Sequence, residues 1–485
     1  MAAAKASDFP EGVWRLDAAA GAGAPPLLFA PQTGTCADHG LVNDGGACVD
    51  DAVGGSFAAR LPPLADLREW GVALQASGTV DYSAAINAAL AWSAAAESAV
   101  YWPGGGYAYA SNPIYLPPGG MIRGAQSPSN GPVGAELRCA ASSAACLYRG
   151  ASGAQTGTKI EGLYIHSTAS PGAGMRNLDA FDIADRDIKV QGFGDCLYFK
   201  NDNVTGGGLG YRISGVDTGA CSHAHVVFDG WAEAKITQGR FGMNGPGDVT
   251  GTDSFFLITG GFTGTAGGPN TIHCDLCQFN TGGSNTSPVY LMHYASIPSG
   301  VDTGAMIISN STLDANSGGM SAIVRVDSTV LSPVMQLNLH DNVFNAPGVI
   351  PVDYQTTVSD VSWNWHDNKF ALNGAGVWDW PSVQHVDLQF HNNYINMGSG
   401  CGDITVYAAA GSVGNFDGNN YDGSCQWVIS GTWRSFSMVG GSKVPSLAGG
   451  NATELFRVDE NTATGETLSS ASAVEGGNYQ LSYLT

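Results

Sequence analysis

Charge is scarce in this chain, and most of it has one sign. Lys and Arg number 20 against 42 Asp and Glu in 485 residues, a formal charge of −22. A balance that acidic argues against nucleic acid and anionic membrane surfaces as partners. Long apolar runs are missing too: none approaches the length of a membrane span, so no membrane insertion is expected. The opening residues, Met1-Ala-Ala-Ala-Lys-Ala-Ser-Asp-Phe-Pro10, lack the apolar centre of a secretory signal. Stretches that favour helix are few. Glycine, at 68 residues, is abundant instead, which suits a chain that turns every few residues.

The ten cysteines fall into five neighbouring pairs, Cys36/Cys48, Cys139/Cys146, Cys196/Cys221, Cys274/Cys277 and Cys401/Cys425. Either they form bridges, which implies an oxidising destination, or they pack as buried thiols. Cys274-Asp-Leu-Cys277 has the spacing of a redox or zinc half-motif. Without a second such pair or a suitable histidine pair, neither function is expected.

What the chain does have is a repeat. One six-letter word occurs four times, as Leu339-His-Asp-Asn-Val-Phe344, Trp365-His-Asp-Asn-Lys-Phe370, Phe390-His-Asn-Asn-Tyr-Ile395 and Phe416-Asp-Gly-Asn-Asn-Tyr421, with starts 26, 25 and 26 residues apart. Looser copies stand at 160–165, 188–193, 236–241, 274–279, 308–313 and 439–444. Before each word the chain alternates: Val361, Trp363 and Trp365 are apolar while Ser362 and Asn364 are polar, the period of a strand. A repeat of short strands and Gly/Asn turns cannot bury its apolar face alone and must stack on its neighbours. The expected fold is all-β, a right-handed parallel β-helix. Its inward columns are Met306, Leu337, Trp363 and Leu388; Ile308, Leu339, Trp365, Phe390 and Phe416; and Leu313, Phe344, Phe370, Ile395 and Tyr421. Asn342, Asn368, Asn393 and Asn419 form an expected asparagine ladder whose amides bond along the stack and tolerate left-handed backbone.

Near the N-terminus stand Asp66-Leu-Arg-Glu-Trp-Gly-Val72, Asp81-Tyr-Ser-Ala-Ala-Ile-Asn-Ala-Ala-Leu90, Val100-Tyr-Trp-Pro-Gly-Gly-Gly-Tyr107, Pro113-Ile-Tyr-Leu-Pro117 and Met121-Ile-Arg-Gly124. They read as a strand, a helix with Asp81 or Ser83 near its N-cap, and a strand ending at Pro-Gly. The apolar stripe of that short helix would plug the open end of the coil. This order resembles the opening module of the pectate-lyase-like β-helix superfamily, which includes glycosidases, polysaccharide lyases and phage tailspikes. The superfamily's usual Gly-Asp-Gly after the first strand is replaced by Ala73-Leu-Gln-Ala-Ser-Gly78. A polygalacturonase-type signature is absent, since Asn201-Asp-Asn203 and Ser222-His-Ala-His225 lack its partners. The expected division is an anchor or assembly segment at 1–64, the β-helix at 65–450 with its capping module at 66–124, and a closing or trimerisation segment at 451–485.

Two outward surfaces are candidates for function. If Ile236 and Cys274 take equivalent inward positions, Glu233, Lys235 and Thr237 point outward beside Thr271, His273 and Asp275. Glu233, Lys235, His273 and Asp275 supply the groups needed for proton transfer at a glycosidic or uronic-acid centre, or else a salt-linked solvated face. The second surface pairs the column Asn338, Asn364, Gln389 and Asn415 with the column His340, His366 and His391. Amides and imidazoles at strand spacing match the hydroxyls of an extended glycan, with Trp378, Trp380, Trp427 and Trp433 available for stacking on sugar rings. The same columns also serve as a polar ladder that stabilises the sheet. Strand columns rarely converge tetrahedrally, so no metal is expected on the histidines, and no cofactor.

The resemblance, the missing signal and the polar columns lead to one expectation. It is a trimeric spike of a phage or phage-like particle, outside the cell on the virion. Such a spike would contact a bacterial capsular or other surface polysaccharide, and other virion proteins through residues 1–64. Cleavage of the polysaccharide stays open. The alternatives are a free secreted polysaccharide lyase or glycoside hydrolase, and a non-enzymatic adhesin.

Overall fold

The computed structural model describes residues 14–16, 27–37, 48–50, 55–59, 64–125, 134–140, 144–150, 155–201, 210–230, 233–242, 254–260, 271–281, 289–299, 304–315, 320–331, 334–356, 360–372, 386–398, 404–423, 427–440, 446–447, 451–461 and 478–483. Contacts divide the chain into two compact units, Met1–Tyr198 with Gly207–Thr218, and Phe199–Gly206 with Gly219–Thr485.

The second unit is a parallel β-helix whose coils lay down strands on three faces. The first face stacks Ala234–Thr237, Thr271–Asp275, Ala305–Ser309, Val334–His340, Asp360–His366, Val386–His391, Ile404–Asn415 and Trp427–Val439, each parallel to the next. The second runs from Arg240–Gly242 through Gln278–Thr281, Thr312–Ala315, Val343–Asn345, Lys369–Ala371 and Tyr394–Gly398 to Asn420–Gly423. The third stacks Ala224–Gly230, Ser254–Thr259, Tyr290–Ala295, Ala322–Val326 and Ile350–Tyr354.

Register follows the alternation read from the sequence. Met306, Leu337, Trp363 and Leu388 stand in one file, Ile308, Leu339, Trp365 and Phe390 in another, and Leu313, Phe344, Phe370, Ile395 and Tyr421 in a third. All are buried, so the core is a stack of like side chains, as in the Phe344–Phe370 pair with ring centroids 4.9 Å apart.

Between the first and second faces the chain bends through one left-handed residue per coil: Gln238, Leu276, Asn310, Asp341, Asp367, Asn392 and Gly418, with φ between 50° and 67°. The ladder asparagines come one residue later and are not left-handed. The expectation that they take that backbone themselves is therefore corrected: the preceding residue turns the chain, which aims the asparagine inward. There each ladder amide donates to the carbonyl oxygen of the amide one coil on, at 3.0 Å for Asn342–Asn368, Asn368–Asn393 and Asn393–Asn419.

In the first unit, Leu64–Asp66, Ala99–Trp102, Met121–Gly124, Lys159–Glu161, Ala184–Arg186 and Tyr211–Ser214 form one parallel stack. Gly106–Ala110, Ala135–Cys139 and Leu163–Leu178 form another. The helix Ser83–Ala95 buries Ile86, Ala89 and Leu90. Its N-cap position is Tyr82, which makes no side-chain capping bond. Asp81 does that work from one residue earlier, accepting from the Ser83 backbone N–H at 3.0 Å and from the Ser111 N–H at 2.9 Å.

Disulfides join Cys139 to Cys146 and Cys274 to Cys277, and Cys36, Cys196 and Cys221 are each disulfide-bonded. Cys401 and Cys425 lie outside the described residues.

Glu69, in the short turn Leu67–Trp70, is 2% exposed, and its Oε2 is buried with no partner among the described residues. Burial pushes its carboxyl from an ordinary 4.5 up to about 7. The folded chain keeps this proton while the unfolded chain releases it, so stability falls as pH rises between those two values. Glu69→Gln removes that slope. It is expected to raise stability above pH 7 by about 3 kcal/mol and leave it unchanged below pH 4.5, checked by urea midpoints on both sides of the window.

Candidate functional site

The two outward surfaces expected separately are rows of one face of the second unit. Lys235, His273, Ile307, Asn338, Asn364, Gln389 and Asn415 form a continuous file, and Thr237, Asp275, Ser309, His340, His366 and His391 form its neighbour. Each step moves to the next strand, about 4.8 Å away.

At the start of the files Ser309, which sequence reasoning passed over, links two of the candidates. Its hydroxyl donates to Asp275 Oδ1 at 2.8 Å, and His273 Nε2 lies 2.9 Å from the serine Oγ itself. With the hydroxyl proton directed at Asp275, that oxygen accepts from His273 Nε2–H, which leaves Nδ1 as a free acceptor. The order is not that of an activated serine, whose hydroxyl would have to face the imidazole. Burial lowers the His273 pKa, with Lys235 and His340 adding to it against Asp275, so the ring is neutral near pH 7. Asn310 Nδ2 donates to Asp275 Oδ1 at 2.9 Å, and this bond leads the causes that hold the Asp275 carboxyl below its usual range. Glu233 and Lys235 are exposed and make no hydrogen bond or ion pair with described residues.

Farther along, the imidazoles of His340, His366 and His391 stack with centroids 5.1 Å apart and planes 4° from parallel. Nδ1 of His340 bonds Asp341 Oδ2 at 2.9 Å and Nδ1 of His366 bonds Asp367 Oδ2 at 2.8 Å. In the neutral ring each carboxylate holds the proton on Nδ1 and leaves Nε2 as an acceptor. Burial and the neighbouring His366 lower the pKa of His391. In the other file the amide oxygens of Asn338 and Asn364 are enclosed with no partner among the described residues, and their amide nitrogens reach solvent. Asn338 and Asn364 thus present donors in one file beside the acceptors of His340 and His366 in the other.

Of the four tryptophans expected near this surface, the one whose side chain is described does not join it. Trp433 is fully buried and packs on Phe436 with centroids 5.2 Å apart. A Cβ on Gly414 would lie 2.7 Å from the Trp433 ring, so the missing side chain makes the space the indole fills. Trp378 and Trp380 lie outside the described residues, as does the side chain of Trp427.

Another cluster, on the third face, was not foreseen. Arg325 Nε donates to Asp327 Oδ1 at 2.8 Å, Nη1 pairs with Asp353, and His293 Nε2 lies 3.0 Å from Asp327 Oδ2. Burial would raise the Asp327 pKa, but the bonds from Arg325 and His293 hold it low. Both carboxylates are committed to one guanidinium, an arrangement that ties adjacent strands together.

No family model and no curated protein matches the chain. Solved structures do. The tailspike protein gp49 of Acinetobacter baumannii bacteriophage Fri1, a capsular polysaccharide depolymerase, aligns with a TM-score of 0.50 at 13% identity, over 94% of this chain and 73% of that one. The likeness is one of fold. The enzymatically active domain of tailspike protein 2 of bacteriophage CBA120 aligns at 0.45 and 10% identity, over 87% of this chain and 55% of that one. The resemblance to the pectate-lyase-like superfamily therefore holds as architecture: a solenoid of parallel strands. No helix among the described residues is long and apolar enough to cross a membrane.

Proposed function

We propose that the chain is the glycan-contacting part of a phage-type spike. It binds a bacterial capsular or other surface polysaccharide along the paired files from Lys235 and Thr237 to Asn415 and His391. The observation that carries this reading is the register that sets the Asn338 and Asn364 donors beside the His340 and His366 acceptors on one face. A polymer of repeating hydroxyls can be matched row by row on such a face without net charge. The tailspike fold supports the same reading. Within it, residues 1–64 attach the chain to other virion proteins, the helix at 83–95 closes the coil, residues 451–485 serve the far end, and three copies assemble into the host-attachment spike.

The test is retention on a printed array of bacterial capsular and O-antigen polysaccharides. Wild type is expected to hold at least one of them. The double variant Asn364→Ala/His366→Ala, which removes two adjacent bonding positions, is expected to lose about a hundredfold in affinity. Retention by no polysaccharide, or equal retention by both proteins, removes the proposal. A second reading, cleavage, draws on the Asp275–Ser309–His273 chain beside Lys235. Shortening of the retained polysaccharide by wild type but not by Glu233→Gln or His273→Ala supports it.

A further inference from the structure

The first unit carries an outward cluster built from three successive strands. Tyr107, Glu136 and Tyr164 share one file, and Tyr109, Arg138 and His166 share the next. Ala108, Leu137 and Ile165 alternate with them and are fully buried in the core. Glu136, though outward, is only 4% exposed. Its Oε1 accepts from Arg138 Nε at 3.0 Å, from Arg138 Nη2 at 2.8 Å and from His166 Nδ1 at 3.2 Å. Burial alone would push this carboxyl up. The bonds from His166 and Arg138 outweigh it and keep Glu136 ionised.

Three polar atoms in the cluster have no partner among the described residues. Glu136 Oε2 makes no hydrogen bond and still reaches solvent, Arg138 Nη1 donates to nothing, and His166 Nε2 is unengaged. The Arg138 and His166 side chains keep 31% and 24% exposure, enough for a ligand to reach them. Their positions are fixed. The Arg138 guanidinium lies 3.6 Å from the centroid of the Tyr107 ring, and Tyr164 stacks on the His166 imidazole at 5.1 Å. The Tyr164 hydroxyl donates to Gln191 Oε1 at 2.8 Å. Lys189 Nζ lies 5.2 Å from the same ring and adds a second positive charge. Asp217 is a further carboxylate acting on Tyr164.

In the neutral ring, with Nδ1–H directed at Glu136, His166 Nε2 carries a lone pair. The site therefore offers a cationic donor at Arg138 Nη1 beside two acceptors, His166 Nε2 and Glu136 Oε2. A ligand that fits must present an anionic acceptor next to two hydroxyl donors. A simple anion meets only the guanidinium and is opposed by Glu136. A neutral sugar satisfies the acceptors and leaves Arg138 unpaired.

We propose that Glu136, Arg138 and His166 form a saccharide site for a carboxylate-bearing sugar, with Arg138 holding the carboxylate and His166 and Glu136 accepting from neighbouring hydroxyls. This deepens the glycan reading by naming an acidic sugar, but it uses a site separate from the files of the second unit. The two therefore fail independently.

Titration calorimetry of the full chain with sodium glucuronate, sodium galacturonate, glucose and sodium acetate tests it. At least one uronate is expected to bind at least tenfold more tightly than glucose or acetate. Arg138→Lys, which keeps the charge but loses the fork, and His166→Asn are each expected to weaken that uronate about tenfold or more. Urea unfolding midpoints equal to wild type serve as the folding control for both variants. Absence of uronate binding, acetate equal to uronate, glucose equal to uronate, or unchanged binding by both variants overturns the assignment.

Discussion

Replacing Arg149 with methionine is expected to lower the unfolding free energy of the first unit by about 3–5 kcal/mol. Arg149 and Asp185 are 0% and 1% exposed, inside the coil. The guanidinium meets the carboxylate with both ends, Nη1 to Oδ2 at 2.7 Å and Nη2 to Oδ1 at 2.5 Å. Nη1 also reaches Asn177 Oδ1 at 3.3 Å, and the Ile160 backbone N–H donates to Asp185 Oδ1 at 3.1 Å. Removing the arginine strands a charge where no water can solvate it, which costs far more than the pair itself contributes. The sign of a second change separates the two. Asp185→Asn added to Arg149→Met removes the stranded charge, keeps the acceptor for Ile160, and is expected to recover most of the loss. Urea unfolding of the two variants checks this. If the double variant is no more stable than Arg149→Met, the penalty is not electrostatic.

Asn368→Leu is expected to cost the second unit about 3–5 kcal/mol, although leucine is the more apolar residue. The Asn368 amide donates to the Leu339 carbonyl at 2.7 Å and to Asn393 Oδ1 at 3.0 Å. Its own oxygen accepts from the Asn342 backbone N–H at 3.1 Å and side-chain amide at 3.0 Å. All of this is buried, with Asn368 at 2% exposure. Leucine leaves the Asn342 N–H and the Leu339 carbonyl without partners in a place water does not reach. The outward neighbour Asp367 makes a contrast: it is exposed, and Asp367→Asn is expected to change stability little. Thermal unfolding that ranks these two variants equal would show that the ladder contributes nothing of this size.

Much of the coil was legible because the six-letter word fixes register and alternation fixes facing. Ile236 opposite Cys274 and the Trp363 and Trp365 files follow from those two rules alone. The union of the two outward surfaces was not legible. The strand between them, Ala305–Ser309, puts Ile307 into the amide file and Ser309 into the histidine file, so the pattern breaks where the surfaces join. A lone serine carries no periodic signal, and its role depends on two side chains one coil back.

The Glu136 cluster was hidden for a related reason. Its strands lie where the six-letter word is degraded or absent, and only the alternation Glu136-Leu137-Arg138 and Tyr164-Ile165-His166 marks them. Trp433 was misplaced because an aromatic next to glycines reads as a turn. Its burial depends on Gly414, a residue on the preceding strand whose absent side chain is visible only once the strands are paired.

The claim that one face of the second unit reads a polysaccharide row by row is tested most directly by chain length. Oligosaccharides of graded length, cut from the polysaccharide retained on the array, are titrated against wild type and Asn364→Ala/His366→Ala. Affinity is expected to climb with length until the ligand spans the file from Thr237 to His391, about 24 Å at strand spacing, and then to level off, with the double variant weaker at every length that reaches its rows. Affinity independent of length, or equal for the two proteins, would contradict the account.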